Sequence, residues 1–266
     1  MDMMRRGLLG GAVVAGAMGL AARASAQNAP QANPDAEKLQ QTLQAYNDPA
    51  ALAVVPVGQD WGNLHRYHRL NESLKTAGNP PPRAVFMGDS ITDNWAGFVP
   101  DWYAQNGYYG RGISGQVTAQ MLLRFMADVA AFKPGAVHFL AGTNDLAENT
   151  DPYDPVATQN NLTAMVRLAT AHDIRVVIGS VPPATSFSWR PEVGNRVAMI
   201  RDLNGWAQDL CAREGHVYAD YWPVLANEDG GLKTELGIGG DSVHPNKDGY
   251  ALMQPIAVAA IDRALA

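Results

Sequence analysis

Residues 84–95 read Ala84-Val85-Phe86-Met87-Gly88-Asp89-Ser90-Ile91-Thr92-Asp93-Asn94-Trp95, and this stretch decides the fold. An unbroken apolar run without polar alternation suits a strand buried on both faces. Gly88 and Asp89 end it, and Ser90 stands at a strand-to-helix turn. Further short apolar runs follow at Tyr108–Ile113, Ala136–Ala141, Arg175–Ser180 and His216–Ala219. Helical periodicity fills Val117–Ala131, Asp154–Ala171 and Val197–Ala212, and returns in Lys247–Leu265. Strands alternating with helices predict an α/β chain: a three-layer α/β/α sandwich around a central five-stranded parallel sheet. Ligands of such sheets gather outside the carboxyl ends of the strands, so the chemistry is expected just past each run.

Upstream of this pattern the chain changes character. Arg5-Arg6, the uncharged stretch Gly7 to Leu20 and the small residues Ala24-Ser25-Ala26 predict a signal peptide over residues 1–26. Paired arginines before a weakly hydrophobic, Gly-rich middle resemble a twin-arginine signal, with the Sec route open as the alternative. The apolar stretch falls short of the roughly 20 residues of a membrane span. The expected mature chain therefore begins at Gln27, is exported to the periplasm or secreted, and keeps no membrane span. Residues 27–82 read as a leader and packed helices, the first over Pro34–Tyr46 with Asn33 as N-cap, the second from Trp61 to Lys75. Residues 83–266 form the main domain.

Composition narrows the partners. Of 266 residues 47% are hydrophobic, enough for one core, and the net charge of -6 does not favour nucleic acid. Cys211 is the single cysteine; in an amphipathic stretch it reads as a buried structural thiol, with no intramolecular disulfide to form.

Four sites past strand ends carry chemistry. Ser90 can present its hydroxyl above the sheet edge, and the amides behind it favour a developing anion; on position alone the first reading is an N-cap. Near the other end, Asp241-Ser242-Val243-His244-Pro245-Asn246 offers a general base with an acid three residues earlier to fix its tautomer. Asn246 is placed to cap the last helix. Gly142-Thr143-Asn144-Asp145 supplies an amide able to donate to an oxyanion, while Asp145 reads as structural, through an Asx-type turn. Gly115, in Gly112-Ile113-Ser114-Gly115-Gln116, precedes a helix, so its amide lacks an intrahelical partner.

In order and context these blocks resemble the GDSL, or SGNH, hydrolase family. The resemblance runs from about Arg83 to the C-terminus; its one departure is Ser90-Ile91 where the family name implies Ser-Leu. It implies a flavodoxin-like SGNH hydrolase fold, with Ser90 as nucleophile, His244 as base and Asp241 orienting it. It also implies an oxyanion hole of the Ser90 and Gly115 amides and the Asn144 side chain. A serine mechanism of this kind needs no metal and no organic cofactor. The implied activity is hydrolysis of carboxylic esters through an acyl-enzyme, with a small-molecule or carbohydrate ester as substrate. Acyl transfer, lysophospholipid or aryl-ester cleavage, and a non-catalytic carbohydrate- or lipid-binding protein of the same fold are the alternatives. Asn94, Trp95 and Trp189 are candidate pocket residues; Trp102 and Phe187 are further aromatic residues near these strand ends.

Two patterns act as decoys. Gly110 to Gly115 fits G-x-G-x-x-G, but the next strand ends in Leu140-Ala141-Gly142, without the carboxylate that would hold a ribose. His65 and His68 are three apart on a helix with no convergent third ligand, so a solvated face is expected, and His138, inside a strand, reads as a core histidine.

Overall fold

The computed structural model describes residues 60–266. The signal peptide and cleavage site expected within residues 1–27, and the helix expected over Pro34–Tyr46, lie outside the described residues. Five strands, β1 Ala84–Gly88, β2 Tyr108–Gly112, β3 Ala136–Leu140, β4 Arg175–Gly179 and β5 Val217–Ala219, form one sheet. Its order is β2-β1-β3-β4-β5 and every pairing is parallel, with Phe86 opposite both Gly110 and His138. β1 and β3 are buried at every position, the burial expected of central parallel strands.

The helices are α1 His65–Thr76, α2 Ser90–Phe98, α3 Pro100–Asn106, α4 Thr118–Asp128, α5 Thr143–Leu146, α6 Pro155–Ala171, α7 Val197–Glu214, α8 Trp222–Leu225 and α9 Lys247–Leu265. Strand alternation divides them between two faces. Phe86 and His138 point to one face, where Phe86 meets Trp95 of α2 and Tyr103 of α3 and stacks on His138 at 4.5 Å. On that face Tyr250 of α9 stacks on Trp95, 5.4 Å between ring centres. Phe139 points the other way, toward Phe125 of α4. α6 and α7 pack against β4, and α1 lies on α4. The result is the expected three-layer α/β/α sandwich.

β1, expected over Ala84–Met87, runs one residue further, the other four strands are each one residue shorter than the sequence reading, and α1 begins at His65 because residues 61–64 form turns. α3 and α8 were not expected; each is one to two turns long with proline in its first turn, too short to show a period. β1 and β3 are neighbours although β2 lies between them in sequence, so the connections diverge at their carboxyl edge. Ser90 and Asn144 sit at that edge, which is where such sheets collect ligands.

Candidate active site

Asp89 caps α2, its Oδ1 accepting from the Ile91 amide at 2.9 Å, and this fixes the turn that carries Ser90. Asp89 is fully buried, and burial pushes its carboxyl up to about 7, against the opposing pull of the Ile91 amide and of His244. α2 lies close on β2: a Cβ at Gly112 would stand 2.1 Å from the Asp93 nitrogen. That contact accounts for a glycine of the G-x-G-x-x-G decoy by packing.

Ser90 and His244 are 154 residues apart in sequence, yet Ser90 Oγ stands 2.9 Å from His244 Nε2. His244 Nδ1 is 2.9 Å from Asp241 Oδ2. The other oxygen of Asp241 accepts from the Val243 amide at 2.6 Å and the His244 amide at 3.1 Å, so one carboxylate both folds the loop and holds the ring. Burial alone would raise the Asp241 carboxyl; the hydrogen bonds from the His244 ring and from the Val243 and His244 amides outweigh it and hold the group below its usual range. The network assigns the proton to Nδ1 and leaves Nε2 to accept from the serine hydroxyl. Ile238 N donates to the His244 carbonyl at 3.0 Å, and Asn246 caps α9 through the Asp248 and Gly249 amides.

Ser90 begins α2, so its amide has no intrahelical acceptor. Gly115 sits in the turn closed by the Gln116 amide on the Ile113 carbonyl, with φ +81°, a conformation that glycine adopts without strain. Asn144 is buried in α5; its Nδ2 donates to the Gln116 carbonyl at 3.0 Å and its Oδ1 accepts from Asn149 Nδ2 at 2.8 Å. These groups line one open cavity of about 380 Å³ together with Asn94, Ser114 and Asn149. Trp189, Ile238, Asp241 and His244 complete it. Trp189 is 38% exposed, and its ring lies 5.6 Å from the imidazole of His244.

Three sequence readings need correction. Trp95 is not a pocket residue: it is 0% exposed in the core, stacked between Trp102 and Tyr250. Trp102 goes with it. Asp145 is structural but makes no local turn of its own; it accepts from the Thr118 amide at 3.0 Å and from the Thr118 and Thr158 hydroxyls, tying α5 to the starts of α4 and α6. Asn149 and Ile238 were not singled out in the sequence, because each reaches the cavity from the far end of a loop.

The decoys fall away structurally. His65 Nδ1 pairs with Asp60 at 2.9 Å and His68 is exposed. Among the described residues no group of three or more metal-ligating side chains converges. His138 bonds Tyr221 at 2.7 Å, and burial lowers it to about 3. Cys211 is buried and its thiol is pushed up to about 11. Among the described residues no helix is long and apolar enough to cross a membrane.

The sequence model of the GDSL-like lipase/acylhydrolase family matches residues 86–252. A Bacteroides fragilis protein that carries the name acylhydrolase is 36% identical with a TM-score of 0.74, the match covering 78% of this chain and 100% of that one. A GDSL-like lipase of Bacteroides thetaiotaomicron is 37% identical with a TM-score of 0.72, over 77% and 100%. An acetyl-xylooligosaccharide esterase variant from Geobacillus shares the fold at 18% identity and a TM-score of 0.52, over 68% and 94%. Comparison with curated proteins finds no match.

Proposed function

Because the chain belongs to the GDSL-like lipase/acylhydrolase family, we propose that it is a serine esterase working through an acyl-enzyme. The observation that carries this reading is the continuous line from Ser90 Oγ to His244 Nε2, at 2.9 Å, and from His244 Nδ1 to Asp241, at 2.9 Å. Ser90 Oγ attacks the ester carbonyl while its proton passes to Nε2, and Asp241 stabilises the imidazolium that forms. The Ser90 and Gly115 amides and one N–H of Asn144 receive the oxyanion. Collapse breaks the bond to the alcohol oxygen, which takes the proton from Nε2. Water then repeats the sequence on the acyl-enzyme and frees the acid and Ser90.

The proposed substrates are short acyl, chiefly acetyl, esters of carbohydrates or other small alcohols. A cavity of about 380 Å³ lined by Asn94, Ser114 and Asn149 favours a small acyl group and a polar alcohol. The exposed Trp189 ring at its wall is a surface on which a sugar can stack. Arg5-Arg6 and Ala24-Ser25-Ala26 support a reading in which the chain is exported and meets its substrate outside the cytoplasm. The test is a panel of p-nitrophenyl esters from about two to sixteen carbons beside acetylated oligosaccharides, run on the wild type and on Ser90→Ala. Activity on the shortest esters, lost in a folded Ser90→Ala variant, is the expected result. Unchanged turnover in that variant would remove Ser90 from the mechanism, and a preference for the longest chains would overturn the substrate class.

A further inference from the structure

Resting on the reading of Asn144 as an oxyanion donor, we infer that Asn149 is a positioning residue that aims the Asn144 amide at the cavity and links it to Trp189. An asparagine amide works as an oxyanion donor only with its NH₂ end toward the substrate, and nothing in Asn144 itself sets that choice. Two contacts set it. Asn144 Oδ1 accepts from Asn149 Nδ2 at 2.8 Å, and Asn144 Nδ2 donates to the Gln116 carbonyl at 3.0 Å. Flipping the amide would set NH₂ against NH₂ and oxygen against oxygen, so the flipped state is excluded. One N–H of Asn144 is left over, in a residue that lines the cavity beside Ser90 and Gly115.

Asn149 is itself oriented. Its Nδ2 also donates to the carbonyl of Gly115 at 3.1 Å, the residue whose amide is the second oxyanion donor. Its Oδ1 accepts from Trp189 Nε1 at 2.8 Å, which fixes the sense of the Asn149 amide in turn. The Trp189 ring lies 5.6 Å from the ring of His244. The loop bearing Trp189 is tied to the loop of the triad, since Ser242 Oγ donates to the Ser186 carbonyl at 2.9 Å. One half-buried side chain thus joins the oxyanion side of the cavity to the wall above the base. The backbone reinforces the geometry: Asn149 N donates to the Asn144 carbonyl at 3.0 Å, so the two residues close a single turn.

A group that acts only by aiming Asn144 has nothing to do once Asn144 is gone, and this gives the test. kcat, KM and melting temperature are measured with p-nitrophenyl acetate for Asn149→Ala, Asn144→Ala, the double variant and Ser90→Ala. Asn149→Ala is expected to lower kcat between about ten- and a hundredfold, as misplacement of a catalytic group does. KM should stay within about twofold. In the Asn144→Ala background the same substitution should cost no further kcat, a coupling that a merely structural residue would not show. Asn149→Asp keeps the acceptor for Trp189 but loses both donors, so its kcat should fall at least as far; it decides the matter if Asn149→Ala does not fold. Trp189→Phe removes the indole donor while keeping an aromatic ring, and should lower kcat less than Asn149→Ala. Normal kcat in a folded Asn149 variant, or fully additive losses in the double variant, would overturn the inference. If instead Ser90→Ala kept normal turnover, the esterase reading beneath it would fail first, and normal turnover in Asn144→Ala would remove the oxyanion role on which the inference rests.

Discussion

At the scale of single residues, the proposed mechanism makes Asn144 the residue that separates transition-state stabilisation from substrate binding. Unlike the amides of Ser90 and Gly115, its donor can be deleted by mutation. A donor aimed at charge that exists only in the transition state affects turnover and leaves affinity alone. Asn144→Ala is therefore expected to lower kcat by about two to three orders of magnitude with little change in KM. A destabilised variant with near-normal kcat would reduce Asn144 to a loop residue. Asp89 gives a second residue-scale expectation, this one on stability. Folded, its buried carboxyl holds a proton to about pH 7; unfolded, it releases it near pH 4. The stability from this group is complete below about pH 4 and declines as pH rises to about 7. Asp89→Asn keeps the oxygen that caps Ile91 and loses the titration. Its melting temperature relative to wild type should rise between about pH 5 and pH 8; a flat difference would contradict the raised pKa. The blocks of the proposed triad could be picked out in the sequence because each is local, and the fold brings Ser90, His244 and Asp241 within hydrogen-bond distance. Trp95 was misread although the signal was there: Ser90 and Asn94 share one face of α2, while Ile91 and Trp95 share another and are buried. Asn149 was illegible because two of its partners, Gly115 and Trp189, lie on segments distant in sequence.

At the scale of elements, α1 and α4 support the loop of Gly115 and Gln116 through a buried polar network. Arg124, fully buried, donates to the carbonyls of Gly88 and Arg111, to Asp128 at 3.1 Å and to Gln116 Oε1 at 2.6 Å. Gln116 in turn donates to the Gly62 carbonyl, and its own carbonyl holds Asn144. Arg111 is also buried, donating to Asn71 of α1 and lying over the rings of Tyr67, Tyr109 and Phe132. Tyr67 reaches the Gly112 carbonyl from α1. Removing one member of such a network strands the others without water. Arg124→Met should cost about 3–5 kcal/mol by leaving Asp128 without its ion pair. Denaturant unfolding checks this, and a loss within experimental error would mean that water enters the network. None of it could be read from the sequence, since only the fold brings Arg111 of β2, Arg124 of α4 and Asn71 of α1 together. The strands and long helices were legible, because apolar runs and the 3.6-residue period are properties of single segments.

At the scale of the whole molecule, strand alternation established a parallel sheet, but alternation alone is silent on strand order. The order β2-β1-β3-β4-β5 comes from the structure, and it is what brings blocks from both ends of the chain to one edge. Two whole-chain expectations follow. Secreted protein should begin at Gln27, which N-terminal sequencing checks; intact Met1 on active protein would count against export by cleavage. Activity should survive dialysis against a strong chelator, since the triad generates its own nucleophile. A loss restored by one divalent ion would contradict that.

The central claim is that Ser90, activated by His244, carries the acyl group. The most direct measurement is mass spectrometry after a serine-directed phosphonate, with residual ester hydrolysis followed in the same sample. The expected result is one adduct per chain, on the peptide containing Ser90, in proportion to the activity lost, and almost none in His244→Ala. Full hydrolysis with Ser90 unmodified, or an adduct that forms equally fast without His244, would contradict the claim.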